Sequence, residues 1–573
     1  MKTIIRVNCK TKEITIAPEG EVMKNLGGRA LTAHILTEEV DPTCDPLGPE
    51  NKLIIAGMLL GGTTISTSNR LSFGTKSPLT GGIKESNVGG TAGSYLAGHG
   101  IKALILEDAP EENTCHLLLI KADGAIELHD AISLSGKGNY EIVETMQKRY
   151  GAKISVISNG IAGERQYLNS SIQVTEMGIE KPCRAAARGG VGAVLGSKGI
   201  KVIVIEKPAL PYKMKMVDET AFRTASKKVT KAVLDGRGML SDVGTAGIIG
   251  ATIPMAIAPY RNFNGGQLTA EEEERFNVQT IVERIRAYGG STGHACQAGC
   301  VVKCSNIVND RNGTFLTAGF EYETIELFGP NCAIFDIDMI AACDRFCDDY
   351  GFDTIELGAS LGVYMDAGEI SWADTEGVLN LFKSFYGDNP VADDFGAGTQ
   401  KLGEKLGVKR IPTVKGQAIP AYDPRNLKGT GAAYAISPMG ADHTCGASLS
   451  RKDLPPTGKS GQLEFAVNSQ GIMAACDSNV CLFAWAMTAS AGEEYANAVS
   501  AALGGKWSFE DILTMGKQCV EKEQVFNRRA GILPDDDRLP AFFYQEASSA
   551  TGAVFDITHE EVEEMWHHRS LTE

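Results

Sequence analysis

Up to residue 206 the chain is a succession of short apolar runs. Those at 52–58, 103–107, 116–121 and 154–158 are separated by Gly, Asp and Asn, which predicts strands joined by turns. The run KVIVIE at 201–206 is the plainest strand, and Pro208 and Pro211 punctuate the chain behind it. Beyond them the apolar period lengthens to that of helices. Segments 218–233 and 269–288 carry it, and 336–350 shows it best. There Asp336 stands at the cap position, Ile337, Ile340, Ala341 and Asp344 follow at helical spacing, and Gly351 stops the run. A loop-like IPTVKGQAIP within 407–420 precedes further helical segments at 465–476 and 493–503. No repeat of about 20–50 residues is visible. The pattern predicts an α+β multidomain chain: a β-rich N-terminal base domain over 1–208, then two mainly α-helical domains over 209–410 and 411–573.

Composition narrows the function classes. At ~150 residues per domain, 573 residues hold about three to four domains. A net charge of −16 lacks the basic footprint of a nucleic-acid binder and opposes docking on anionic lipid. The most apolar stretch, 248–259, is too short to span a bilayer. The N-terminus alternates like a strand and has no apolar signal core, so the expected compartment is the cytoplasm. Fourteen cysteines in a reducing compartment point to metal or catalysis rather than disulfides.

The strongest chemical signal is Cys296-Gln-Ala-Gly-Cys300-Val-Val-Lys-Cys304. Three thiols so spaced can converge on an iron–sulfur cluster with a remote fourth ligand, or on a metal ion. Zinc usually brings a second paired motif, and none of that kind is present. A helix would instead place the three thiols on one buried face, as packing alone. Cys343 and Cys347 share that spacing inside the 336–350 helix, and there packing is the expectation.

Glycine is abundant, at 65 residues. It concentrates in GGTTISTSNR (61–70), NVGGTAGSYLAG (87–98) and RAAARGGVGAVLGSK (184–198), each able to bring backbone N–H groups to an anion, with Arg70 and Arg188 adding charge. Close packing of helix on sheet would use the same glycines. Gly190, Gly192 and Gly196 miss the dinucleotide spacing by one, and no acidic residue follows where a ribose would need it, so a nicotinamide site is rejected.

Other segments join these in order: Gly27-Gly28-Arg29-Ala30-Leu31, PENKLIIA (49–56), TKSPLTG (75–81), Glu321-Tyr322-Glu323, Ala421-Tyr422-Asp423-Pro424-Arg425 and Phe526-Asn527. Together they span nearly the whole chain and resemble the aldehyde:ferredoxin oxidoreductase family of tungsten- or molybdenum-pterin enzymes. The resemblance implies a β-rich base under a tungsten- or molybdenum-bis-pterin, closed over by two helical domains, with one [4Fe-4S] cluster beside a pterin and Mg between the pterin phosphates. Its cluster ligands fall on Cys296, Cys300, Cys304 and Cys481, with the first gap one residue longer than the family's. The first pterin loop matches Asp348-Asp349-Tyr350-Gly351-Phe352-Asp353, where a helix ending in glycine frees backbone and the carboxylates of Asp348 and Asp353. The second, Asp477-Ser478-Asn479-Val480-Cys481, is one residue short and lacks the glycine. The phosphate side falls on Arg70, Asn87, Gly89, Gly90, Ala185, Ala187 and Arg188, with Ala187 where the family commonly has Gly.

For catalysis the resemblance implies Glu323 as general base and His443, in Gly440-Ala441-Asp442-His443-Thr444, as the group polarising a carbonyl. Taken alone, each is an ordinary solvated glutamate or a structural histidine. The metal-bridging motif of some relatives is absent from Ile340-Ala341-Ala342-Cys343-Asp344, so no bridging iron is expected. The implied reaction is oxidation of an aldehyde to a carboxylic acid in a homodimer, with ferredoxin or a dedicated iron–sulfur subunit as electron acceptor. Two other functions fit the same residues: the catalytic subunit of a carboxylate or aromatic acyl-CoA reductase complex, and a metal-free binding or assembly paralogue.

Overall fold

Alternating apolar residues and turn glycines fold the first 206 residues into sheets. The computed structural model describes residues 2–111 and 114–567. Among them, one six-stranded sheet runs β2 (Ile14–Pro18), β1 (Thr3–Asn8), β6 (Ile101–Glu107), β3 (Leu53–Gly57), β4 (Leu71–Lys76), β5 (Ile83–Val88). The other runs β8 (Ile126–Asp130), β7 (His116–Ile120), β12 (Ile200–Glu206), β9 (Ile154–Ser158), β10 (Ile172–Val174), β11 (Arg184–Ala186). The predicted strands are present. The alternating N-terminus makes two strands, β1 and β2, rather than one.

Adding six to each strand number of the first sheet reproduces the second. In each, one pair is parallel, β1 with β6 and β7 with β12, and the remaining pairs are antiparallel. The helices Gly28–Glu39 and Asn139–Tyr150 precede the third strand of each half, and Ala92–Gly98 and Val191–Ser197 precede the sixth. The sequence repeats there too: Gly90, Gly93, Leu96, Gly100, Ile101 and Lys102 align on Gly189, Gly192, Leu195, Gly199, Ile200 and Lys201. The β-rich part is thus a duplication, with a period too long to show as a short repeat. The two sheets share one core, in which Ile5, Val7, Leu104 and Leu106 pack with Leu118, Ile203 and Ile205.

After Glu206 helices dominate. Helix Glu219–Gly236 is capped by Asp218, whose side chain accepts from Ala221 N. The single helix expected over 269–288 is two, Ala270–Arg275 and Val278–Ala287. Asn277 is the reason: its side chain caps the second helix through Thr280 N, while Phe276 turns into the core. Helix Ile337–Tyr350 follows the expectation, with Asp336 accepting from Asp338 N and Met339 N and Gly351 at φ 95° behind it. Cys343 and Cys347 are fully buried packing residues, as read. The loop at 407–420 holds a small hairpin, Thr413–Val414 with Gln417–Ala418.

Helix Gln462–Asn479 meets Leu482–Ser490 at a bend of 102°. Among the described residues no single helix is long and apolar enough to cross a membrane. One continuous core joins the first sheet, its Gly28–Glu39 helix and the helical region as far as Trp566.

Candidate functional site

Cys296, Cys300 and Cys304 lie on an irregular loop between strands Ser291–His294 and Ser305–Asn309. Gly299 (φ 77°) and Lys303 (φ 57°) take left-handed conformations there, so the thiols do not line a helix, and the packing-only reading of this motif fails. Cys481 approaches from the 102° bend as the N-cap of helix Leu482–Ser490, its N–H bonded to Thr67 Oγ1 at 3.2 Å. Arg70 stands close enough to Cys481, Cys296 and Cys304 to interact with each, and Cys300 is likewise close to Cys481. At Gly89 a β-carbon would stand 2.9 Å from Cys296 Sγ, so only glycine fits that approach. Burial pushes the Cys296 thiol up to about 12, against Arg184 and Arg70, and raises Cys300 and Cys304 too.

Among the described residues no three His, Cys, Asp or Glu side chains stand close enough to hold a single metal ion. A cubane, several ångströms across, takes its four thiols from wider apart than one ion does. Gln297, beside Cys296, has both side-chain ends buried without a partner. The donor set fits an iron–sulfur cluster.

Next to this corner the duplicated halves present their glycine turns. Gly90 (φ 94°) and Gly189 (φ 79°) are equivalent in the repeat, and a β-carbon at Gly90 would meet Thr175 O at 2.8 Å. Arg70 is fixed on Asn87 through its side-chain and main-chain oxygens, and Asn87 Nδ2 donates to Glu85 at 3.2 Å. Ala185, paired with Gln173 in the β11–β10 ladder, and Ala187 stand on the face opposite the buried Ala186. Arg188 reaches Asp353 at 3.2 Å and the carbonyls of Ala441 and Ala418, tying the second half to both helical regions.

Each pterin-type loop contributes buried carboxyls. Asp348, near the end of helix Ile337–Tyr350, faces Asp344, and both accept from Thr317 Oγ1, at 3.4 and 2.6 Å. Burial pushes Asp344 up to about 7 and raises Asp348 well above the usual carboxylate range. Asp353 is the cap of the next helix and accepts from Ile355 N. Asp477, in the last turn of helix Gln462–Asn479, is raised by burial and by Glu85, and Arg29 touches it at 3.3 Å. A β-carbon on Gly28 (φ 46°) would strike Asp477 O at 2.2 Å, so Gly28 makes room for this loop. Buried carboxyls whose charge is disfavoured, with lone pairs beyond the few donors they meet, fit a ligand rich in N–H groups, as a pterin is.

Glu323 opens helix Tyr322–Phe328 and is buried. Its Oε2 accepts from Ala421 N at 2.7 Å, while Oε1 has no hydrogen-bond partner and faces His443 Nε2 at 3.6 Å. Burial raises the Glu323 pKa, against His443 and the Ala421 N–H. His443 Nδ1 is also buried and unpartnered. The neighbouring Asp442 bonds Lys84 Nζ at 2.9 Å. Burial opposes its charge, but Lys84, Arg188 and His443 prevail and hold Asp442 far below the usual carboxylate range. Tyr422 lies 6.2 Å from the His443 ring, and the Tyr434 hydroxyl is buried without a partner. The arrangement offers a raised carboxyl, an imidazole and unsatisfied polar atoms in one enclosed place, which is general acid–base equipment.

The fold therefore gathers the predicted residues into three adjoining groups: cluster thiols, cradle and acid–base pair. Sequence reading missed Asp344, Glu85, Lys84 and Glu326. The first three become functional only through contacts with distant segments, and Glu326 had a legible signal in its spacing of three from Glu323.

Two family models match the chain: "Aldehyde ferredoxin oxidoreductase, N-terminal domain" over residues 4–207, and "domains 2 & 3" of the same family over 222–571. A tungsten-containing aldehyde ferredoxin oxidoreductase of Pyrococcus furiosus is 32% identical over 571 residues, covering 95% of this chain and 91% of the relative. Its Thermococcus kodakarensis counterpart gives the same figures. The WOR-like subunit of an aliphatic sulfonate oxidoreductase from Pyrococcus furiosus is 27% identical, over 79% of this chain and 75% of its own. Among solved structures, the active-site complex BamBC of benzoyl-coenzyme A reductase with 1,5-dienoyl-CoA superposes with a TM-score of 0.74. It covers 94% of this chain and 90% of its own at 17% identity, a likeness of fold.

Proposed function

The chain belongs to the aldehyde ferredoxin oxidoreductase family, and from that premise we propose that it oxidises an aldehyde to a carboxylic acid. The observation that carries this reading is the buried Glu323–His443 pair at 3.6 Å, with Glu323 Oε1 and His443 Nδ1 unpartnered. When bound, a tungsten– or molybdenum–pterin supplies a two-electron acceptor next to them. Arg70, Asn87, Gly89, Gly90, Ala185, Ala187, Arg188, Asp348, Asp353 and Asp477 would hold it, by cradle backbone at its phosphates and buried carboxyls at its ring nitrogens. Glu323, its main-chain bond fixing one oxygen, uses the other to take a proton from the attacking water. His443 Nε2 donates toward the substrate carbonyl oxygen. Cys296, Cys300, Cys304 and Cys481 would carry the cluster through which electrons leave singly to a ferredoxin or a dedicated iron–sulfur subunit.

Elemental analysis of anaerobically purified protein tests the reading, together with aldehyde-dependent reduction of a viologen dye. About one tungsten or molybdenum and about four irons per chain, with dye reduction, is the expected result. Iron without the heavier metal, or full metal with reduction driven by no aldehyde in a broad panel, overturns it. Cys300→Ala should lower iron content and dye reduction together, and unchanged iron would reject the cluster ligands.

A further inference from the structure

Glu326 is fully buried in helix Tyr322–Phe328, one turn beyond Glu323 on the same face. Neither of its carboxyl oxygens has a hydrogen-bond partner. The titratable groups that sense it are Glu323, Tyr322 and Tyr422. Neither tyrosine hydroxyl bonds to it. Tyr322 donates to Ala421 O at 2.7 Å, and its ring lies 5.0 Å from that of Tyr422. No cation is among these groups, so Glu326 has nothing to compensate a charge. A residue that only filled this space would be better as leucine, which has similar bulk and no stranded polar atoms. Burial raises the pKa of both glutamates, but their surroundings differ. At Glu323 an imidazole and a main-chain N–H oppose the rise, whereas at Glu326 nothing does, and it is driven to the neutral acid. Carboxyl pairs pushed apart in this way divide the acid and base roles of a site.

We propose that Glu326 is the proton-holding partner of Glu323, a relay that carries the proton of the attacking water away from the reaction centre. Oxidation of an aldehyde by water yields the acid, two protons and two electrons; the metal cofactor, when bound, would take up the two electrons with the hydrogen of the aldehyde carbon, and the other proton is that of the attacking water. One proton passes from the water to Glu323. Its transfer to a free oxygen of Glu326 accompanies loss of the Glu326 proton toward solvent, so each glutamate ends the turnover as it began. In the reductive direction the same path delivers a proton. The inference rests on the reading of Glu323 as base.

The test compares metal-loaded wild type with Glu326→Leu, Glu326→Gln and Glu323→Gln. Both Glu326 variants should keep normal tungsten or molybdenum and an unchanged KM for the aldehyde. Each should lose at least about tenfold in kcat, with a larger solvent deuterium isotope effect. Glu326→Leu should melt no lower than wild type. Infrared spectra at neutral pH should show a neutral-carboxyl carbonyl band in wild type that Glu326→Gln lacks, a readout independent of turnover. Turnover of Glu326→Leu within about twofold of wild type, loss of metal or of melting temperature in step with kcat, or an unchanged infrared band would each overturn the relay. If Glu323→Gln is dead while Glu326→Leu is active, only the relay fails. If Glu323→Gln is active, the underlying base assignment fails.

Discussion

At the scale of single residues, the site depends on what burial does to carboxyls. Glu323 must be ionised to act as base, and burial raises its pKa. The acid limb of kcat/KM is therefore expected above the ordinary glutamate value of ~4.3, with activity rising as pH rises through it. A pH profile measured with a non-ionising aldehyde checks this. Glu323→Gln should remove the limb and about 10²–10⁴-fold of the rate while metal content stays normal. Asp344 gives a stability counterpart in protein lacking the pterin. Its folded-state pKa is raised to about 7, so its contribution is full below the unfolded value of ~3.9 and is lost as pH rises through about 7. Melting temperatures of the cofactor-free protein should fall across that window, and Asp344→Asn should flatten the fall. An unaltered slope in the variant would assign the effect elsewhere.

At the scale of elements, the site is assembled from ends. The helices Ile337–Tyr350 and Gln462–Asn479 each carry a buried carboxyl in their last turn, Asp348 and Asp477, and the 102° bend brings Cys481 near a loop nearly two hundred positions earlier in the chain. The glycine turn after β5 closes this arrangement. Because a β-carbon on Gly89 would sit 2.9 Å from Cys296 Sγ, Gly89→Ala must displace the cysteine or the turn. Lower iron content with an unchanged far-ultraviolet circular dichroism spectrum is the expected outcome. Normal iron in that variant would mean that the loop yields and that the close approach has no bearing on cluster binding.

At the scale of the whole molecule, the base and the helical regions are locked by buried charge. Arg29, fully buried near the start of helix Gly28–Glu39, makes paired bonds of 2.8 Å to Glu523 and touches Asp477 at 3.3 Å. Breaking a buried pair strands the remaining charge, at a cost of about 3–5 kcal/mol. Arg29→Met is thus expected to lower the melting temperature markedly, and Arg29→Met with Glu523→Met to regain most of it. If the double variant is no better than the single one, the arginine acts mainly through Asp477. The duplication belongs to this scale as well. The two halves carry equivalent glycine turns at Gly90 and Gly189, so the base presents the same backbone feature twice.

Much of this was written locally. Apolar runs and the 3.6-residue period, with Asp336 and Gly351 as punctuation, determined the strands at 53–57, 101–107, 116–120, 154–158 and 200–206 and the helix Ile337–Tyr350, but not the shorter or more polar strands between them, because backbone geometry answers to neighbours a few positions away. The spaced cysteines and the motif order were sufficient for the family. The split at Asn277 was hidden because one capping side chain outweighed an otherwise helical period. The duplication was hidden because its halves share topology more than sequence. What the tertiary structure alone decided is charge state and company: that Asp442 stays ionised beside Lys84, that Glu326 is left without a partner, and that Gly28 makes room for the loop at Asp477. Burial and pairing arise between segments hundreds of residues apart, and no local pattern encodes the distance between them.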